Sequence, residues 1–331
     1  MDWLYHRGVF DFDAMTDLNK KLREYLNQNC SLEIAAATQT QTSSDGTIKW
    51  VIDQGQAQAI ETVYIPEKSR STLCVSSQIG CLIDCPFCAT GHQGFNRNLS
   101  SAEIIGQVLL AKQALKQELK QDHAITNIVF MGMGEPLANF SETIKATKIL
   151  TDPNGFNLSR RRVTISTSGL VPQIMKLADY VNVSLAVSLH APVNKLRDEL
   201  VPINRRHPIE ALLDACWFYA KNGRLKTVTF EYTLLKGIND QPQHARQLCK
   251  LLKDRPAKVN LIPFNPFPGV AYQPTPVYQI NEFRNILLES GIMTMTRTTR
   301  GDDIKAACGQ LSGMVNNLAK QSLGQKLKTI N

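Results

Sequence analysis

From about residue 100 to residue 296 the chain repeats one pattern. Amphipathic stretches at helical spacing alternate with short β-branched runs, an order that lays helices over a parallel sheet. Ser100 or Ser101 can cap a helix carrying Ile104, Ile105, Val108 and Leu109, and a strand is predicted over Ile125 to Met131. Helices near Glu142 to Leu150, from Pro172, and over Ile209 to Asn222, Gln241 to Leu252 and Asn281 to Ser290 then precede strands at Arg162 to Ser166, Val181 to Ser188, Thr227 to Leu234, Lys258 to Ile262 and Met293 to Thr296. With the strand before residue 76, about six βα units follow one another. The expected fold is α/β, a partial (β/α)6 TIM-like barrel. Ligands of such folds sit where the loops leave the C-terminal ends of the strands.

Ahead of this repeat the period differs. Thr16 can cap a helix with Leu18, Leu22, Tyr25 and Leu26 on one face. Ile48, Trp50 and Ile52, then Val63 and Ile65, alternate with polar residues after a Ser44-Asp45-Gly46 turn, as strands do. Two regions are therefore expected: residues 1–66, a helical piece with a β extension, and residues 67–331, the barrel with a C-terminal segment that carries Cys308.

Early in the second region lies Cys74-Val-Ser-Ser-Gln-Ile-Gly-Cys81-Leu-Ile-Asp-Cys85-Pro-Phe-Cys88, with four of the eight cysteines in fifteen residues. A structural zinc site wants two separated pairs of ligands, and no second pair follows; a zinc loop would have to recruit Cys74. A disulfide knot conflicts with the missing secretory leader and with the scatter of Cys30, Cys216, Cys249 and Cys308. Cys81, Cys85 and Cys88, as Cys-x3-Cys-x2-Cys, suit three corners of a cubane iron-sulfur cluster. A ferredoxin supplies a fourth cysteine; three leave one iron open to a ligand from solution.

The strand ends offer further candidates. Gly132-Met-Gly134-Glu135-Pro136 follows the Ile125 strand, where glycines let a small molecule approach the backbone and Glu135 accepts from an ammonium or ribose hydroxyl. Taken alone it is also an ordinary turn. Ser166-Thr-Ser-Gly169 and Ser188-Leu189-His190 end the next two strands; a helix cap and an interior histidine are the plain alternatives. Asn265, in a proline-stiffened loop, could read a base or ribose or simply form a turn. Cys308, after small alanines and basic residues, could be an accessible, low-pKa thiolate or a buried thiol.

The formal charge of +8 comes in clusters, Arg160 to Arg162, Arg205 to His207, and Arg297 with Arg300. Clusters beside an enzyme site favour a polyanion such as RNA over an unpartnered solvated face. No run of eighteen apolar residues is present, so no membrane span is expected, and the lack of a leader places the protein in the cytoplasm.

Glu61-Thr-Val-Tyr-Ile-Pro, the Cys74 to Cys88 loop with Gly94-Phe-Asn-Arg97-Asn, Gly134-Glu135-Pro136, Ser166-Thr-Ser-Gly, Ser188-Leu-His190-Ala-Pro and Gly301-Asp-Asp-Ile-Lys-Ala-Ala-Cys308-Gly-Gln together resemble one family over nearly the whole chain. It is the RlmN/Cfr family of RNA methyltransferases, of the radical S-adenosylmethionine (AdoMet, SAM) superfamily. The resemblance implies a barrel of the radical SAM type. It implies one 4Fe-4S cluster on Cys81, Cys85 and Cys88, whose open iron is chelated by AdoMet, and an AdoMet site at Gly134, Glu135, Ser166, Ser188, Leu189, His190 and Asn265.

It further implies that one AdoMet methylates Cys308 and a second yields a 5′-deoxyadenosyl radical that activates that methyl group for addition to an adenine. Glu61 would then act as base, and Cys74 would resolve the protein-RNA adduct by forming a disulfide with Cys308. The implied targets are carbon 2 of adenosines in 23S rRNA and in tRNA, just 3′ of the anticodon, with a flavodoxin-type electron donor and a monomeric enzyme. A Cfr-like C8 methyltransferase and a non-catalytic, metal-stabilised RNA-binding protein are the alternatives. In one respect the chain departs from the family: it opens at Met1-Asp-Trp-Leu-Tyr, within the end of the usual helical RNA-contacting domain, so most of that domain is expected to be missing.

Overall fold

The computed structural model describes residues 1–119 and 125–314. The N-terminal region holds α1 (Asp2–Tyr5) and α2 (Lys20–Asn29). The latter starts later than expected: Asn19, not Thr16, caps it, its side-chain oxygen accepting from the Leu22 amide at 2.9 Å. Leu22 and Tyr25 stay exposed, so the apolar periodicity of this helix marks a face with no core beneath it in this chain.

Three antiparallel strands follow, β1 (Ala37–Thr42), β2 (Ile48–Asp53) and β3 (Ala59–Pro66). Their alternation was legible because Ile48, Trp50 and Ile52 all face one core. β4 (Ser71–Cys74) pairs antiparallel with β3 on one side and parallel with β7 (Asn127–Phe130) on the other, and so fuses the extension to the barrel in one sheet. The expected boundary at residues 66 and 67 falls in the turn between β3 and β4, within one continuous sheet.

β5 (Gln78–Gly80) and β6 (Phe95–Asn98) form a separate hairpin flanking the cysteine loop, with α3 (Ala89–His92) inside it. After α4 (Ser101–Leu119) the chain alternates β7 (Asn127–Phe130), α5 (Phe140–Thr151), β8 (Val163–Thr167), α6 (Val171–Tyr180), β9 (Ser184–Ser188), α7 (Asn194–Leu200), α8 (Ile209–Asn222), β10 (Val228–Leu234), α9 (Pro242–Leu252), β11 (Ala257–Pro263), α10 (Val277–Glu289) and β12 (Met293–Thr296). Ser100 caps α4 in a reciprocal box with Glu103, each backbone N–H donating to the other side chain.

Among the described residues the ten-stranded sheet runs β1-β2-β3-β4-β7-β8-β9-β10-β11-β12, parallel from β4 onward. Six of its parallel strands lead into helices and β12 closes the series, the partial (β/α)6 barrel expected. Phe230 meets Trp217 of α8, and Tyr232 meets Phe283 of α10. The strands' even-numbered residues on β10 thus pack outward against helices, which turns Glu231 and Thr233 inward.

Candidate active site

Successive strands from β7 to β12 deliver their C-terminal ends to one open cavity, the usual place for a small-molecule cofactor in such a fold. Its lining includes Cys81, Cys85, Cys88, Gly134, Glu135, Ser166, Ser188, His190 and Cys308. Residues from opposite ends of the sequence meet there because consecutive parallel strands must point the same way.

The three-cysteine loop is seated by backbone bonds. The Cys81 amide donates to Gly94 O at 2.8 Å across the hairpin, and the Cys88 amide to Cys85 O at 3.1 Å. Gly91 packs so tightly that an added Cβ would lie 2.8 Å from Cys85 O, so only glycine lets the loop close. All three are free thiols. Burial pushes Cys81 up to about 12, Cys85 well above the usual thiol range, and Cys88 upward as well. Thiols enclosed in this way are poor thiolates unless a cation sits among them, which fits an iron cluster. Among the described residues no three His, Cys, Asp or Glu side chains converge on a single-ion site. A cluster does not ask them to, because each thiolate takes a different iron.

Glu135 faces the cavity as a buried carboxylate. Its Oε2 accepts from the Ser168 amide at 2.6 Å and its Oε1 from the Leu137 amide at 3.0 Å, tying the end of β7 to the end of β8. Burial nevertheless raises its pKa. Gly134, at φ +100°, brings the backbone against Gln78, where a Cβ would lie 2.5 Å from Gln78 Cβ. The Gln78 side chain accepts from the Glu135 amide, so this glycine turn is braced by the hairpin.

His190 has φ +56°, and its Nδ1 accepts from the Thr233 amide at 2.9 Å, which places the ring proton on Nε2. Burial lowers its pKa to about 3. The ring meets Phe87 edge to face at 4.7 Å, so it also braces the residue before Cys88. Leu189 does not line the cavity; it is fully buried, its carbonyl accepting from Arg197 Nε at 3.0 Å. Asn265 also stands behind the wall: its Nδ2 donates to Cys308 O at 3.2 Å, and its Oδ1 accepts from Thr299.

Cys308 is exposed, on an arm of residues 297–314 with little regular structure. Ala89 donates to Gly309 O at 2.8 Å, Thr90 Oγ1 to Leu311 O at 2.6 Å, and Gln310 Nε2 to Pro266 O at 3.1 Å. The Ser44-Asp45-Gly46 turn, read from sequence only as a turn, holds the arm too, Asp45 accepting from the Gly301 amide. Cys74, buried at the end of β4, is pushed up to about 12 by burial first and then by a thiolate at Cys308. The two cysteines are thus within electrostatic reach of each other, both as free thiols. Glu61, buried on β3, pairs with Lys49 Nζ at 3.3 Å and accepts from the Ser312 amide at 2.9 Å. It stands beside the arm and not in the cavity wall.

Sequence reasoning missed three neighbours, Arg197, Thr233 and Glu231. Arg197 is fully buried and donates to the carbonyls of Leu189, Ser168 and Ser188 and to Asn204 Oδ1, binding the ends of β8 and β9 together. Burial lowers its pKa to about 10. Ser168 and Thr233 line the cavity, and so does Glu231, a buried carboxylate on β10. Alternation along β10 was the available signal for the last two. Of the basic clusters, Arg160 to Arg162 precede β8 and so lie at the end of the barrel away from the cavity, which corrects the expectation that all three clusters sit beside the site. Arg205, Arg206, Arg297 and Arg300 follow their strands and lie on the cavity side.

A partial barrel with a three-thiol loop at the mouth is the architecture of a radical SAM enzyme, and residues 75–249 match the Radical SAM superfamily. Residues 1–32 match the ribosomal RNA large subunit methyltransferase N-terminal domain. The chain is 52% identical over 324 residues, 97% of its length and 85% of the relative's, to the dual-specificity RNA methyltransferase RlmN of Pseudomonas putida. A radical SAM methyltransferase from Sphaerobacter thermophilus superposes with TM-score 0.88 at 44% identity, covering 94% of this chain and 90% of that one. SuiB of Streptococcus suis, solved with S-adenosylmethionine, shares the fold at TM-score 0.50 and 12% identity, over 69% of this chain and 50% of its own. The chain belongs to the radical SAM superfamily and, within it, to the RlmN family of RNA methyltransferases.

Proposed function

We propose that this enzyme methylates carbon 2 of an adenosine in 23S rRNA and in tRNA, with Cys308 as methyl carrier. The observation that carries the reading is the meeting, in one cavity, of Cys81, Cys85 and Cys88 with Gly134, Glu135 and the thiol of Cys308. Adenine C2 offers no lone pair, so a direct displacement on a sulfonium methyl is closed to it and a radical route is required. Cys81, Cys85 and Cys88 would hold a 4Fe-4S cluster, which supplies the electron that cleaves AdoMet into an adenosyl radical.

The remaining roles fall to side chains. Gly134, Glu135, Ser166, Ser188 and His190 bind AdoMet along the strand ends, and Leu189 and Asn265 hold the wall from behind. Cys308 takes a methyl group from one AdoMet, gives up a hydrogen from that methyl in the second cycle, and adds the carbon to the base. Glu61, held by Lys49 and the Ser312 amide, removes the ring proton. Cys74 then attacks the Cys308 sulfur, forming the disulfide as the product leaves.

Arg205, Arg206 and Arg300 provide phosphate contacts on the cavity side. Two AdoMet per turnover, a flavodoxin-type donor and a monomeric enzyme complete the reading. All eight cysteines are free thiols, which supports a cytoplasmic setting. Among the described residues no helix is long and apolar enough to cross a membrane.

Anaerobic incubation of the reconstituted enzyme with AdoMet, reductant and protein-free rRNA or tRNA, followed by nucleoside mass spectrometry, tests this. 2-Methyladenosine is expected. 8-Methyladenosine would assign the C8 reaction instead, and RNA bound but unmodified would assign a non-catalytic RNA-binding protein.

A further inference from the structure

One guanidinium nitrogen in the cavity faces several acceptors. Arg297 Nη1 lies 3.4 Å from Cys308 Sγ, 3.7 Å from Met131 Sδ and 4.0 Å from Glu231 Oε2. Glu231 is only 4% exposed, and its Oε1 accepts from Asn260 Nδ2 at 2.9 Å. Its Oε2 has no hydrogen-bond partner. Glu231 and Asn260 stand opposite each other in the β10–β11 register, so the backbone fixes where this oxygen points. A buried carboxylate oxygen left unpaired beside a cation is costly unless it is used in another state of the protein.

We propose that Arg297 holds the Cys308 sulfur as acceptor of the first methyl group, and that Glu231 takes the guanidinium over once that sulfur is methylated. The inference rests on the methyl-carrier reading above. A hydrogen bond from a guanidinium to a thiolate is charge-assisted; to a thioether it is weak. In the transfer an electron pair on the Cys308 thiolate forms the new S–C bond, and the methyl–sulfonium bond breaks with its pair going to S-adenosylhomocysteine. The thiol proton leaves to solvent as the thiolate forms; the thiolate's negative charge and the sulfonium's positive charge are then both neutralised, with no outside electron required.

What remains near Arg297 is the Glu231 carboxylate, now its strongest close partner. A thiolate at Cys308 is the largest influence raising Arg297 above its ordinary value, ahead of Glu231, Cys74 and Glu67, while burial opposes them. Methylation therefore removes the anion that holds the Arg297 guanidinium against the Cys308 sulfur. The arm keeps its contacts with Thr90, Asn265, Pro266, Asp45 and Glu61, while the Cys308 sulfur alone loses its charged partner, which frees the methylated sulfur to turn toward the adenosyl radical and the base.

Two half-reactions separate the roles. In metal-free protein at neutral pH, peptide-resolved alkylation of Cys308 by iodoacetamide is expected to slow about tenfold in Arg297→Gln and to recover in Arg297→Lys. Formation of S-methylcysteine at Cys308 in the reconstituted enzyme should follow the same order. Glu231→Gln should alkylate no more slowly than wild type, yet pass the methyl carbon from premethylated Cys308 to RNA about tenfold more slowly. Wild-type alkylation in Arg297→Gln, or equal slowing of both half-reactions in both variants, would overturn the proposal, the second result marking a merely structural pair. Alkylation needs neither AdoMet nor RNA. A wild-type enzyme that forms no S-methylcysteine therefore overturns the methyl-carrier reading without being confused with failure of the contact itself.

Discussion

The two cysteine-bearing regions that meet at the cavity are built in opposite ways. The Cys81 to Cys88 loop is clasped inside the β5–β6 hairpin by backbone hydrogen bonds and by glycines with no room for a Cβ. The Cys308 arm carries no strand ladder; it is held by the isolated Ala59–Met314 bridge and by single contacts to Thr90, Ala89, Asn265, Pro266, Asp45 and Glu61. A cluster must keep its three sulfurs at fixed separations, which favours the first construction. The carrier thiol proposed above would have to serve a methyl donor, a radical and a resolving cysteine in turn, which favours the second, since local contacts worth about 1 kcal/mol each can be exchanged singly.

The sharpest way to break that contrast is to remove the carrier alone. Cys308→Ala is expected to abolish RNA methylation while cluster absorbance on reconstitution stays at the wild-type level; loss of both would mean the arm helps hold the cluster. Next in size is the fixed side. Gly134→Ala places a methyl at 2.5 Å from Gln78 Cβ and demands φ +100° of an alanine. It should cost about 3 kcal/mol or more in thermal or urea unfolding and sharply reduce AdoMet binding by calorimetry. Unchanged stability would show that the turn is not under constraint.

His190 sharpens the comparison through pH. Burial lowers its pKa from 6.5 to about 3, so between those values the folded state binds fewer protons than the unfolded one. Its contribution is fully present above pH 6.5 and is lost as the pH falls toward 3. His190→Asn, which tolerates the positive φ, should flatten that acid limb by up to a few kcal/mol, read from urea unfolding across pH. A limb of unchanged slope would assign the acid sensitivity elsewhere. The smallest effect belongs to the arm: Thr90→Val deletes the bond to Leu311 O and should cost about 1 kcal/mol. It should also speed Cys308 alkylation severalfold while leaving Cys81 alkylation unchanged; equal acceleration of both would erase the distinction.

Much of this was legible before folding. β-branched alternation located Ile48 to Ile52, and α8 falls at its expected bounds, because one face of each meets a continuous core; β12 also falls at its expected bounds, though Met293 and Met295 stay exposed. The hairpin around the cysteine loop was not foreseen, since its three- and four-residue strands carry too few residues for periodicity to show. Leu189 and Asn265 carry family motifs, yet their side chains stand behind the cavity wall, and Glu61 reads as a strand residue until the Ser312 amide arrives from the far end of the chain. Arg197 gave no signal, because a buried arginine is recognised by the carbonyls around it and those come from two different strand ends.

The order of strands and helices, the three-thiol spacing and the set of residue types able to do the chemistry were determined by sequence alone, because each is set by local periodicity or by intervals of a few residues. Which thiols share a cavity, which arginines face it and which turn away, and where the unpaired oxygen of Glu231 points were decided only in the tertiary structure. Those depend on contacts between residues far apart in the chain, such as the Ser312 amide on Glu61, 251 residues away. Only the parallel sheet, by aiming every strand end the same way, brings such residues together.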